Sequence, residues 1–121
     1  MEIRAARRSD VIALCGDTYP QSMRAIVVEH QGEPVGIAGV LNSSPAQCFS
    51  TMQDVVRASP KTILKVAKAL AGILNQSRGP VYAIADQSEP TAPRFLSHIG
   101  FEYLTTTYQG EVYQWVKPSQ L

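Results

Sequence analysis

The chain has 121 residues, 45% hydrophobic and 17% charged, with eight Gly and eight Pro. That make-up fits one globular domain over residues 1–121 and excludes a disordered or fibrous protein. Eleven basic against ten acidic residues leave a formal net charge of +1, so no global field favours nucleic acid or an anionic membrane surface, and any anion site has to be local.

Residues 1–6 are predicted to form a short strand. Ser9 and Asp10 then offer oxygens to cap a helix carrying Val11, Ile12, Leu14 and Cys15, which Gly16-Asp17 and Pro20 break. Residues 25–29 and 35–41 are β-rich runs joined by HQGEP, whose Gly and Pro suit a tight reversal. After a polar loop over residues 42–46, an imperfect alternation predicts a strand over residues 48–56.

The strongest helix signal follows. Ser59 stands at the cap, Pro60 at the first helical position, and Ile63, Val66, Ala67, Leu70 and Leu74 recur at three- and four-residue steps. Ser77-Arg78-Gly79-Pro80 ends it, and residues 81–85 form an apolar strand closed by Asp86. QSEPTAP is a turn-rich loop whose Pro93 enters a short helix running through Phe95, Leu96 and Ile99 to Gly100. Residues 103–107 and 111–116 read as a closing hairpin around Tyr108-Gln109-Gly110. The order β-α-β-β-β-α-β-α-β-β predicts an α/β fold, a mixed sheet with helices on its faces and right-handed parallel crossovers.

Cys15 and Cys48 lack metal-ligand spacing, and His30 and His98 cannot form a zinc site, so no metal is expected. No apolar run approaches the roughly 18 residues of a membrane span. The start MEIRAARRSD has no signal-peptide core, so the reading predicts a soluble, cytoplasmic protein with no membrane or nucleic-acid partner.

Three segments together resemble the GNAT superfamily of N-acetyltransferases across nearly the whole chain. VVEHQGEPVGIAGV is similar to that family's central hairpin, followed by a small-residue strand. ADQSEPTAPRFLSHIGFEYL resembles its segment between the fifth and sixth strands, ending in an apolar residue, Gly and Phe. A C-cap at Gly100 with Phe101 turning back into the core explains those last residues without a ligand. The strand-loop-helix from Phe49 to Leu74 stands where the family seats the pyrophosphate of acetyl-coenzyme A. Its usual glycine-bearing loop is replaced here by Val56-Arg57-Ala58-Ser59-Pro60-Lys61-Thr62. With Thr51-Met52-Gln53-Asp54 before it, this shortened and degenerate loop looks like those of GNAT-like proteins of phages and prophages.

The resemblance implies two parallel strands that separate near Met52 and Val81, with the start of the longest helix aimed into the gap. Cofactor contacts are then expected from Met52, Gln53, Ser59, Lys61, Thr62 and Asp86, with acetyl-coenzyme A as cofactor. The helix start should offer unpaired amides. The family's Tyr proton donor is matched by Leu96, which leaves Tyr103 or Tyr108 as substitutes, although aromatics in closing strands also serve packing. Asp54 and Glu29 are the candidate bases, each with an alternative as a turn or surface residue. Lys61, Lys65 and Lys68 share a helical face that either borders phosphates or is simply solvated. Only residues 16–24 join the first helix to the hairpin, predicting a wide or incomplete acceptor site. Two readings stay open: acetyl transfer to a small-molecule or protein amine, or a catalytically silent virion or interaction protein. A homodimer through sheet edges is compatible with either.

Overall fold

The computed structural model describes residues 1–17, 22–85 and 88–116. In chain order the elements are β1 (Glu2–Ala5), α1 (Arg8–Cys15), β2 (Met23–His30), β3 (Glu33–Leu41), β4 (Ala46–Met52), α2 (Asp54–Arg57), α3 (Pro60–Asn75), β5 (Val81–Ala85), α4 (Ala92–His98), β6 (Glu102–Thr107) and β7 (Gly110–Trp115). They build a single α+β domain around one seven-stranded mixed sheet in the order β1-β2-β3-β4-β5-β7-β6.

The element order matches the sequence reading with one addition and two corrections. The strand expected over residues 48–56 ends at Met52, and Asp54–Arg57 coil into the single helical turn α2. The N-cap of α1 is Arg7 rather than Ser9-Asp10; Asp10 sits three residues in and accepts a hydrogen bond from the Arg7 amide at 2.7 Å. Parallel pairing between neighbours occurs once, between β4 and β5. The β1-α1-β2 connection returns antiparallel, and β5-α4-β6 passes over β7, which pairs with both.

Helix α3 forms for the reasons its sequence displays. Pro60 occupies the first turn, where its missing N–H costs nothing, and the Ser59 hydroxyl accepts from the Thr62 amide. Val66, Leu70 and Leu74 are fully buried against the sheet, each contributing about 2 kcal/mol of apolar burial. They join Val28, Ala38, Val81, Ala83, Leu96, Phe101, Tyr113 and Trp115 in the larger core, which α3 and α4 cover. The opposite face carries a smaller core of Val11, Val27 and Ile37 under α1.

At the end of α4, Gly100 adopts φ 105° and the Phe101 amide reaches back to the Leu96 carbonyl at 2.9 Å. That left-handed step costs glycine little and returns Phe101, 3% exposed, to the core. The central hairpin turns through Gln31 and Gly32, both at positive φ. One buried ionic knot ties the first three elements. Arg4 of β1 donates both terminal nitrogens to Asp10 of α1 at 2.7 and 2.9 Å, and its Nε to Glu29 of β2. Asp10 is 3% exposed, and its hydrogen bonds from Arg4 hold its carboxyl below the usual carboxylate range, with burial opposing.

Candidate functional site: a fork between two parallel strands

The sheet has one internal break. Among the described residues, β4 and β5 pair only at Ala46 with Val81 and Gln47 with Tyr82. Beyond that point β4 stays on β3 as far as Met52, while β5 stays on β7 as far as Ala85. The described strands therefore diverge, and about 10 Å of the β4 edge, Cys48 to Ser50, runs alongside the rest of β5 without a ladder. Where the described strands form no ladder, an extended chain bearing amides could pair with their inner edges, which makes the fork a candidate slot for one.

Side-chain alternation gives the slot two different faces. Cys48 and Met52 of β4 join the core under α3, alongside Val81, Ala83 and Ala85 of β5. Met52 lies over Gly36 of β3, where an added Cβ would come within 2.4 Å of the Met52 sulfur. Burial pushes the Cys48 thiol up to about 12, so it is protonated at neutral pH and acts as packing rather than as a nucleophile. On the other face, Phe49 packs toward α1. Tyr82 and the 46%-exposed Ile84 alternate with the buried residues of β5 and so share that face.

The mouth of the fork is built by α2 and the start of α3. Its amides are largely engaged with the protein itself. Gln53 donates to the Val35 carbonyl, Val56 and Arg57 to Gln53, Ala58 to Asp54, and Ser59 to Val56. Ser59 Oγ takes the Thr62 amide and lies 2.8 Å from the Thr62 hydroxyl, with Thr62 only 4% exposed. Pro60 has no N–H, so Lys61 carries the first-turn amide of α3 without a partner among the described residues. The expected row of free amides is thus reduced, among the described residues, to Lys61 on α3 and the first two residues of α2, Asp54 and Val55, because the glycine-free loop has coiled into helix. Ser59 and Thr62 cap each other rather than face a ligand, whereas the exposed Lys61 borders the mouth.

Sequence reasoning passed over Arg57. Its guanidinium meets Glu89, on the loop between β5 and α4, at 2.5 Å, and Asp54 at 3.2 Å. No periodicity signals a pairing between residues so far apart in the chain. Tyr82 was also passed over, although its place between inward-facing Val81 and Ala83 is a readable signal.

The three catalytic candidates do not converge on the fork. Asp54 is the first residue of α2 rather than the end of a strand, and its carboxylate is 98% exposed. Glu29 is held by Arg4 on β2, with β3 between it and the fork. Tyr103 lies on the edge strand β6, with β7 intervening; its ring meets Tyr113 edge-on at 5.9 Å and its hydroxyl lies 2.6 Å from that of Thr106. Each of those two is about 10 Å from the slot, two strand spacings away. The exposed Gln53 and half-buried Met52 do flank the mouth. Asp86 lies outside the described residues. Between α1 and β2 the described residues Gly16, Asp17 and Ser22 form no helix.

The chain as a whole has counterparts among solved structures. An N-acetyltransferase from Staphylococcus aureus superposes with a TM-score of 0.69 at 12% identity, covering 96% of this chain and 98% of that one. The fold is that of the GNAT N-acetyltransferases. A spermidine N-acetyltransferase variant from Vibrio cholerae matches at TM-score 0.68 and 12% identity over 100% of this chain and 98% of the other. A ribosomal-protein alanine N-acetyltransferase from Escherichia coli matches at 0.67 and 11% over 95% and 92%. The sequence matches no family model and no curated protein. Among the described residues of this GNAT fold, no helix is long and apolar enough to cross a membrane, and no group of His, Cys, Asp or Glu could hold a metal ion.

Proposed function

We propose that the chain is an acetyl-coenzyme A-dependent N-acetyltransferase acting on an amine, borne by a small molecule or a protein. The fork carries this reading: its open backbone edges suit the amide-bearing pantetheine arm, and its mouth leads to cationic groups at Lys61 and Arg57. Acetyl-coenzyme A supplies the thioester carbonyl that the amine attacks. Met52 and Gln53 border the arm where β4 ends, and the Lys61 amide and ammonium serve the phosphate end in place of a glycine loop. Tyr82 stands at the closed end of the fork on the α1 face, and we assign its hydroxyl to a proton relay: it would give its proton to the departing thiolate and regain one from the nitrogen of the attacking amine. The S. aureus, V. cholerae and E. coli structures are N-acetyltransferases, two of them named for spermidine and ribosomal-protein acceptors, which supports an amine as the acceptor class.

Isothermal calorimetry is the direct test. Micromolar binding of both acetyl-coenzyme A and free coenzyme A is expected, and failure of both at millimolar concentration refutes the reading. Two observations favour a second reading, a catalytically silent GNAT-fold virion or interaction protein: most of the loop amides are spent internally, and Arg57 already holds a carboxylate. That protein binds neither compound and co-purifies with a macromolecular partner or particle.

A further inference from the structure

The two arms of the fork are rejoined at its mouth by charge. Arg57 follows β4 on α2, immediately before α3; Glu89 follows β5 on the loop leading to α4. Their 2.5 Å contact bridges strands that have no ladder past Gln47 and Tyr82. The Glu89 side chain is 29% exposed and that of Arg57 46%, so the pair is half-screened and can exchange partners. Asp54, the other carboxylate on Arg57, is 98% exposed, lies on the same short helix and links nothing across the gap.

A guanidinium binds a carboxylate and a phosphate through the same planar donors. Arg57 ends α2 four residues before Lys61, which carries the unpartnered amide in the first turn of α3, so a phosphate bound by Arg57 at the mouth would compete directly with Glu89. We infer that Glu89 is a built-in competitor: it occupies Arg57 and ties the fork shut at its mouth until the phosphates of an incoming ligand displace it. This rests on the reading of the fork as a coenzyme A slot, and adds that the chain's own carboxylate sets the affinity. It also gives the degenerate loop a consequence. With few backbone donors left, binding depends on side-chain charge, and one opposing charge weighs heavily.

Glu89→Gln removes the charge while keeping the shape and a hydrogen-bond acceptor. The test is calorimetry at low ionic strength on the wild type, Glu89→Gln, Arg57→Gln and the double variant, titrated with coenzyme A and with pantetheine, which lacks phosphates. Thermal melts of each protein establish folding. Glu89→Gln is expected to tighten coenzyme A up to about fivefold, the span open to a half-exposed ion pair. Arg57→Gln should weaken it about tenfold, and Glu89→Gln should have no effect once Arg57 is gone. Pantetheine affinity should be indifferent to Glu89→Gln, and the fivefold gain should shrink as salt is raised. Equal coenzyme A affinity in the wild type and Glu89→Gln overturns the competitor while leaving the slot intact. An equal gain in the Arg57→Gln background, or an equal gain for pantetheine, overturns it as well. Coenzyme A binding to none of the four proteins overturns the slot and the competitor together.

Discussion

Replacing Asp10 by Asn tests the ionic knot that holds α1 to the first strands. The carboxylate is 3% exposed and accepts from the Arg7 amide at 2.7 Å and from Arg4 at 2.7 and 2.9 Å. Asn keeps one oxygen for the Arg7 amide but turns its NH2 toward the Arg4 guanidinium, and two donors facing each other at this buried position cost about 1 kcal/mol. The charge contact, screened on the side where Arg4 meets solvent and backed there by Glu29, adds about as much again. A loss of roughly 2 kcal/mol lowers the melting temperature of a domain this size by about 8 °C. The pH dependence has a definite sign. Hydrogen bonds from Arg4 and the Arg7 amide depress the folded-state pKa of Asp10 below its ordinary value of 3.8. Its stabilisation is therefore complete above that value and fades as pH falls through the depressed one. Asn does not titrate. Circular dichroism melts should show the wild type well above the variant at neutral pH and the gap closing at pH below 3.8. A neutral-pH gap under about 2 °C, or one that stays constant into acid, refutes the reasoning.

Lys61→Glu places a negative charge beside the free amide of α3 and should weaken coenzyme A about tenfold by calorimetry; unchanged affinity removes the helix start from the site. Tyr82→Phe should lower kcat about a hundredfold with little change in KM for acetyl-coenzyme A, as expected of a lost proton donor. A matching fall in kcat for Tyr103→Phe would move the donor to β6. Leu70→Ala opens a cavity at a 1%-exposed position under α3 and should cost about 3 kcal/mol in urea unfolding. The Cys48 thiol, pushed up to about 12, should resist alkylation in the folded protein at mildly alkaline pH and react once denatured; fast native labelling contradicts its burial.

The local chemistry of each element was legible in the sequence. The stripe from Ile63 to Leu74, the Ser59-Pro60 start and the Gly100-Phe101 end are written within a turn or two of chain, and each forms where the spacing places it. A resemblance carried on three segments extended this to the fold and to a fork near Met52 and Val81; the described ladder ends at Tyr82, next to Val81, but on β4 at Gln47, five residues before Met52. The absence of glycine before α3 was legible as well, but the coiling of that loop was not. Without a residue to hold it open, residues 54–57 coiled into a helical turn, which moved Asp54 off the strand and engaged the amides of Val56 to Ser59.

What only the tertiary structure decided is adjacency. Strand order is set by which edges meet across the whole sheet, and no residue of β6 records that β7 will lie between it and β5. That ordering removed Tyr103 from the slot, as β3 removed Glu29, and left Tyr82 at the fork. The Arg57–Glu89 contact joins the end of α2 to a loop more than thirty residues further along, brought together because β4 and β5 are paired at one end and separated at the other. A sequence determines which groups a chain carries and how they repeat along it; their meeting across the fork depends on long-range packing, because a charge pair leaves no periodic trace in either segment.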